Sequence, residues 1–252
     1  MVTQIWAHRG SSHKYIENTL TAFKQAVKDG VDGIELDVQR TKDGKLIVYH
    51  DENLKRLTGV KKFVQEVTWA EIQTLTLSTN KRLSRPKLFL DTDIPRLESV
   101  LELMKDTSMV INIELKNNIY FYPGMEEEIL TCVKKAQMEE QVLYSSFNHL
   151  SMHHMASLAG PERCAILTSD IQYKPWLYAQ NTNVHCIHPK ITSLQNENLV
   201  QECHQRGLKV HVWTVDSEAN INACLQLGVD ALITNKPEQA IALRNQMQSD
   251  AG

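Results

Sequence analysis

Apolar residues recur along this chain in two alternating rhythms. Short aliphatic and β-branched runs, several alternating at period two, predict strands over 4–7, 33–39, 45–50, 110–115, 142–145, 164–168, 184–188, 209–215 and 231–234. Apolar positions at 3.6-residue spacing predict helices over 19–28, 97–104, 126–136, 148–158, 195–205, 218–227 and 237–246. Gly30, Gly207 and Gly228 each follow such a helix, where a left-handed C-terminal cap suits glycine. Pro237 stands in the first turn of the last one. Strands alternating with helices from end to end imply parallel βαβ units. About eight of them in some 250 residues favour an α/β fold of the closed (β/α)8 TIM-barrel type. The competing open, doubly wound sheet predicts a glycine-rich phosphate turn after the first strand, and neither GxGxxG nor GxxxxGK[ST] occurs.

Residues 51–93 break the rhythm with a short helix over 68–75 and a basic irregular stretch, NKRLSRPK. They read as an insertion at the barrel mouth, spanning 51–96, within a single domain over 1–252. The cations Lys81, Arg82, Arg85 and Lys87 read most simply as solvated surface, with attraction of an anionic substrate as the alternative.

Composition narrows the class. The 252 residues are 42% hydrophobic and 23% charged, ordinary for a soluble globular protein and enough for a core that needs no staples. Lys plus Arg is 27 against 30 for Asp plus Glu, a net charge of −3, which argues against a nucleic-acid partner. No apolar run approaches the ~18 residues of a membrane span, so no stable membrane insertion is expected. The opening MVTQIWAHRG lacks the apolar core of a signal peptide and enters a strand almost at once. Cys132, Cys164, Cys186, Cys203 and Cys224 are odd in number, widely spaced and free of CxxC pairs, which suits reduced thiols of a cytoplasmic protein. No oligomeric interface is legible in one chain.

The chemistry sits on two of the strands. In Ile34-Glu35-Leu36-Asp37-Val38 side chains alternate, so the apolar set faces covering helices while Glu35 and Asp37 face the barrel interior, ~7 Å apart along the strand. In Ile111-Asn112-Ile113-Glu114-Leu115-Lys116 the interior set is Asn112, Glu114 and Lys116. Three inward acids repel one another and are costly to desolvate. Either a hard cation with oxygen ligands, Mg²⁺ or Ca²⁺ and not zinc, compensates them, or Lys116 and Arg9 bridge them in a structural salt-bridge network. His8 follows the first strand and His50 ends the 45–50 run, both where catalytic groups project from a barrel. A lone histidine is more often structural. Two beside inward acids can act as general base and general acid. Arg9 offers a planar donor fork suited to phosphate and Lys116 a point charge. The set suits displacement at a phosphorus centre.

The stretch AHRG…IENTLTAFKQAVKDGVDGIELDVQRTKDGKLIVYHDENLKRLT resembles the glycerophosphodiester phosphodiesterase family, which shows HRG, ENT, an E-x-D segment, TKDG and HD in this order. IPRLESVLEL, IELKNNIYFYPGMEE, YSSF, GLKVHVWTV and ITNKPE are similar too, so the resemblance covers 5–238. It implies that Glu35, Asp37 and Glu114 bind one divalent cation, Mg²⁺ in preference to Ca²⁺, and that His8 and His50 are the acid–base pair. Arg9 and Lys116 would hold the phosphate, and Phe147 and Trp213 would line the pocket, with core packing the bland alternative for both aromatics. His188 is a weaker candidate, and His211 shares Trp213's inward face. Glu17 and Asn18 would support the first loop, Asn18 reading equally as the cap of the first helix. The implied reaction is hydrolysis of a small-molecule glycerophosphodiester to sn-glycerol 3-phosphate and an alcohol, by way of the cyclic phosphate proposed for the family. Three positions depart from the family's frequent residues: Ile16 for Pro, Asp216 for Asn and Asn235 for Asp. A lysophospholipase D-like activity is a second reading and predicts an apolar mouth, for which Tyr120, Phe121 and Tyr122 are the candidates. A non-catalytic module that binds metal and phosphodiester is a third, and predicts the loss of a histidine or an acid.

Overall fold

The computed structural model describes residues 2–78 and 92–250. Lys81, Arg82, Arg85 and Lys87 lie outside the described residues. Among the described residues nine strands form one sheet: β1 (Gln4–His8), β2 (Gly33–Arg40), β3 (Leu46–Val48), β4 (Val110–Leu115), β5 (Val142–Ser146), β6 (Cys164–Thr168), β7 (Cys186–Pro189), β8 (Lys209–Val212) and β9 (Ala231–Thr234). Their order is β1-β9-β8-β7-β6-β5-β4-β2-β3, and β1 also pairs with β2, which closes a barrel of eight parallel strands. The helices are α1 (Leu20–Asp29), α2 (Lys55–Thr58), α3 (Trp69–Ile72), α4 (Leu97–Met104), α5 (Met125–Lys135), α6 (His149–Ala159), α7 (Pro175–Thr182), α8 (Leu199–His204), α9 (Glu218–Leu227) and α10 (Pro237–Asp250).

Alternation along each strand sorts the core into two layers. Ile34, Leu36 and Val38 of β2, with Ile111, Ile113 and Leu115 of β4, pack outward against Phe23, Leu97, Leu101 and Ile129 of the helices. Trp6, Ala231 and Ile233 pack inside the barrel, with Val110, Leu143 and Trp213 against them. A Cβ at Gly33 would stand 2.8 Å from the Trp6 ring, so only glycine lets β2 pass this indole. No helix among the described residues is long and apolar enough to cross a membrane. All five cysteines are free and buried.

The structure corrects the expected strand over 45–50. Only Leu46–Val48 is strand, and it runs antiparallel to Val38–Arg40 of β2 as the return of a hairpin, not as a barrel strand. The TKDG turn makes it: Thr41 Oγ1 accepts from the Lys45 N–H at 2.9 Å, and Gly44 takes a φ of 75°. His50 therefore lies in the coil beyond the hairpin, and α2, α3 and their connections pack on it through Ile47, Tyr49, Leu54, Leu57, Val64 and Ile72. The expected helix over 68–75 shortens to Trp69–Ile72, capped by Thr68. That over 195–205 shortens to Leu199–His204, preceded by a 3-10 turn at Ile191–Gln195. Helix α7 was not expected. Its residues PWLYAQNT bury Trp176 and Ala179 without a clear apolar stripe, and Pro175 in its first turn and Asn183 in a left-handed cap define its ends.

Candidate active site

Strand register decides which side chains meet. His8, last in β1, is the register partner of Glu35 on β2, and Asp37 is the partner of Glu114 on β4. Alternation keeps all three acids on the interior face. Their carboxylate oxygens come within 4.8 Å of one another. Glu35 Oε1 and Asp37 Oδ1 are buried with no hydrogen-bond partner. Orphaned anionic oxygens aimed together at the end of a barrel fit a hard cation with oxygen ligands better than a closed salt-bridge network.

The surrounding groups fix these acids only in part. The Arg9 backbone N–H donates to Glu35 Oε2 at 3.0 Å, while the Arg9 guanidinium donates to Glu17 at 2.8 Å and stands 3.2 Å from Asp37 Oδ2. Asn18 Nδ2 donates to Asp37 Oδ2 at 2.8 Å. Asn18 is thus not the helix cap; Thr19 is, accepting from the Ala22 N–H. Lys116 Nζ donates to Glu114 at 2.9 Å and lies 4.0 Å from Asp37, so this cation sits against the acids themselves. Burial, with Asp37 and Glu114 alongside, pushes the Glu35 carboxyl well above its ordinary value. Burial also raises Glu114, opposed by Lys116. Burial would raise Asp37 as well, but Arg9, His50, Lys116 and the Asn18 hydrogen bond together hold it well below the usual carboxylate range.

The two histidines are held alike at Nδ1 and by different chemistry. His8 Nδ1 lies 2.8 Å from the amide oxygen of Asn235. His50 Nδ1 lies 2.6 Å from the Asp51 carboxylate. Gln39 Nε2 donates to the carbonyls of Tyr49, His50 and Asp51, which pins the coil that carries His50 over the end of β2. Asp51 in turn takes Arg56, whose other contacts are to Glu17 at 2.7 and 2.9 Å. Burial, then Arg9, lowers His8 to about 4, so it is neutral near pH 7.

His8, Arg9, Glu35, His50, Glu114, Phe147 and Trp213 line one cavity of about 230 Å³, together with Asn112, Leu167 and Ile233. Phe147 and Trp213 meet edge to face at 5.6 Å. Asp37 and Lys116 lie behind this wall. His188 does not join it. It is fully buried in the barrel interior, 2.9 Å from His211, with Cys186 Sγ 3.3 Å from the same His211 nitrogen. Burial lowers both of these histidines and raises the thiol, which keeps the cluster neutral. Sequence reasoning missed Arg56 and the hold of Gln39. Arg56 is 39 residues from its Glu17 partner, and no local pattern marks that contact.

The chain is similar to known proteins along nearly its whole length. A glycerophosphodiester phosphodiesterase of Bacillus altitudinis is 40% identical over 253 residues, covering 98% of this chain and 100% of its own. One of Caldanaerobacter subterraneus subsp. tengcongensis is 39% identical over 243 residues, covering 96% and 98%. The structure of an Oleispira antarctica phosphodiesterase in complex with its product sn-glycerol-3-phosphate superposes with a TM-score of 0.77 at 23% identity, covering 97% of each chain. The glycerophosphoryl diester phosphodiesterase family profile matches residues 8–239. Because that match runs from the end of the first barrel strand into the last helix, the chain belongs to the glycerophosphoryl diester phosphodiesterase family.

Proposed function

We propose that this site hydrolyses small-molecule glycerophosphodiesters to sn-glycerol 3-phosphate and an alcohol, with Glu35, Asp37 and Glu114 holding one divalent cation and His8 and His50 moving the protons. The observation that carries the reading is the cavity itself, where two imidazoles engaged through Nδ1 share the wall with Glu114 and with Glu35, whose Oε1 has no partner. Three acids against the two cations Arg9 and Lys116 leave an anionic excess that a divalent cation reverses, and Mg²⁺ suits so compact a set. Bound there, the cation would supply charge neutralisation at a non-bridging phosphate oxygen.

The chain's own groups supply the rest. Neutral His8 takes a proton on Nε2, since Nδ1 is engaged by Asn235. His50, oriented through Nδ1 by the Asp51 carboxylate, delivers a proton from Nε2 to the departing alkoxide. When the neighbouring glycerol hydroxyl is the attacking group, the cyclic phosphate it forms is opened by water with the two roles reversed. Arg9 on the cavity wall, and Lys116 from behind it beside Glu114, offset the phosphate charge, and Phe147 and Trp213 wall the alcohol arm. The insertion over 51–96 belongs to the same single domain and supplies Asp51 and Arg56 beside His50. Five buried free cysteines suit a cytoplasmic enzyme.

The test incubates the purified chain with glycerophosphocholine and related diesters and measures sn-glycerol 3-phosphate released, with and without chelator. Chelation is expected to stop release and Mg²⁺ to restore it. His8→Ala and His50→Ala are each expected to keep the fold and lower kcat at least ~10²-fold. Near-normal turnover in either variant overturns the assignment.

One observation favours the lysophospholipase D-like reading. Ile119, Phe121 and Leu150 are exposed along a groove of about 660 Å³ that meets the cavity at Phe147. Asn118, His149, His153 and Asn181 line the same groove, which keeps the reading second. Faster release of sn-glycerol 3-phosphate from glycerophosphocholine than of lysophosphatidic acid from lysophosphatidylcholine separates the two.

A further inference from the structure

We propose that Asp216 and Asn235 form a polar relay that sets the tautomer and orientation of His8, and that they work only as a matched carboxylate–amide pair. The idea rests on the reading of His8 as a proton acceptor. Asp216 follows β8, and Asn235 follows β9. Asp216 Oδ1 accepts from the Asn235 backbone N–H at 2.9 Å and from Thr234 Oγ1 at 3.1 Å. Asp216 Oδ2 accepts from Asn235 Nδ2 at 2.6 Å. A carboxylate only accepts, so the Asn235 amide can face Asp216 only through its NH₂. The amide oxygen must then point away, and it meets Ser12 Oγ at 2.7 Å and His8 Nδ1 at 2.8 Å. An amide oxygen cannot donate, so His8 Nδ1 carries the hydrogen and Nε2 keeps its lone pair. Ser12 Oγ also lies 2.8 Å from the His8 carbonyl, which ties the ring's own backbone to the same point.

This also accounts for two of the sequence's departures from the family's frequent residues. In the resemblance given above the frequent residues at these two positions are Asn and Asp, and here the Asp216 and Asn235 side chains are bonded to each other. The exchange is reciprocal. With Asn at 216 and Asp at 235, the carboxylate would accept from both the amide NH₂ and His8 Nδ1–H, and the imidazole tautomer would be the same. The single changes break the chain. In D216N the new amide can offer its NH₂, which lets Asn235 turn over and present its own NH₂ to His8. Nδ1 must then accept, and the hydrogen moves to Nε2. In N235D two carboxylates face each other.

The experiment is a double-mutant cycle on D216N, N235D and D216N/N235D, with kcat, KM and Tm measured on each and the His8 tautomer read by ¹⁵N-edited NMR of the chelated protein. D216N is expected to lower kcat at least ~10-fold, the direction known for a mis-set catalytic histidine, with KM within ~3-fold. Its NMR signature should move to the Nε2–H form. D216N/N235D is expected to regain kcat to within ~3-fold of the starting chain and the Nδ1–H signature. Additive losses in the double variant, or a D216N enzyme with unchanged kcat and tautomer, overturn the relay. The tautomer signal needs no turnover, so a chain inactive on glycerophosphodiesters fails the functional reading while the relay is still decided. A variant that loses Tm is judged on the double variant alone, whose kcat and tautomer must both return.

Discussion

Asn18 holds a backbone φ of 58°, in the left-handed region, and uses that turn to aim its amide at Asp37. Without it, Asp37 Oδ2 keeps only an ion pair with Arg9, and the carboxylate is free to rotate away from Glu35 and Glu114. Partners of this kind typically govern a factor of 10–100 in metal affinity. Asn18→Ala is therefore expected to weaken Mg²⁺ binding by about 10–100-fold in a calorimetric titration, and an unchanged affinity would show that Asp37 needs no such support. The acids themselves were legible because period-two alternation assigns Glu35, Asp37 and Glu114 to one face without any tertiary knowledge. Asn18 was only half legible, since Asn before a helix fits a cap as well as a strut, and the neighbouring Thr19 took the cap. Gly10 was legible only as part of HRG. Its φ is 77°, and a Cβ there would stand 2.7 Å from the Ala22 backbone carbonyl carbon, so the loop that follows His8 needs a residue with no side chain.

The β2–β3 hairpin shows what pattern reading misses at the level of elements. The run Leu46-Ile47-Val48-Tyr49 has the composition of a barrel strand, and composition does not encode whether a strand crosses over to run parallel or folds straight back. The turn TKDG held that information, because five residues from Thr41 to Lys45 are too few for a parallel crossover. Helix α7 was missed for the converse reason. Its packing is fixed by the strands on either side, and its own apolar spacing is weak. The hairpin has a chemical consequence, because it delivers His50 from a coil and not from a barrel strand, and that coil needs a tether. Buried Gln39 is the tether, with hydrogen bonds of 3.2, 3.1 and 2.6 Å to three successive carbonyls. Gln39→Leu fills similar space and removes those donors. The expected result is a loss of about 1–3 kcal/mol in denaturant unfolding, from carbonyls left unsatisfied, together with a kcat lowered at least several-fold. A variant destabilised to that degree with full kcat would mean that His50 finds its place without Gln39.

For the whole molecule, the carboxylate cluster is a cost carried by the fold for the sake of its chemistry. Glu35 and Glu114 have folded pKa values above the ordinary 4.5, chiefly through burial. At these two acids the folded chain therefore binds more protons than the unfolded chain from that value upward to their raised values, and their contribution to cation-free stability falls as pH rises through this window. Asp37, held below its ordinary 3.8, contributes with the opposite sign, and its share is lost only as pH falls beneath that value. A divalent cation held by these acids would bind their deprotonated forms, so its stabilisation would grow as pH rises. Buried His8, His188 and His211, all lowered from the ordinary 6.5, contribute the opposite slope below that value, so in chelator it is the acids' share of Tm, read as the difference from Glu35→Gln, that is expected to decline as pH rises, and Mg²⁺ is expected to restore it most at the higher pH. Glu35→Gln isolates the contribution of one acid. In chelator it should raise Tm near neutral pH, by about 2–4 °C for each kcal/mol of charge burial relieved, and flatten the decline, while the Mg²⁺-dependent gain disappears with turnover. Comparing the two proteins by the difference between their pH slopes cancels the titrating groups that do not interact with Glu35. A Glu35→Gln protein that keeps the full Mg²⁺-dependent rise in Tm would place the cation elsewhere, and one no more stable than the parent in chelator would mean that Lys116 and Arg9 already compensate the cluster.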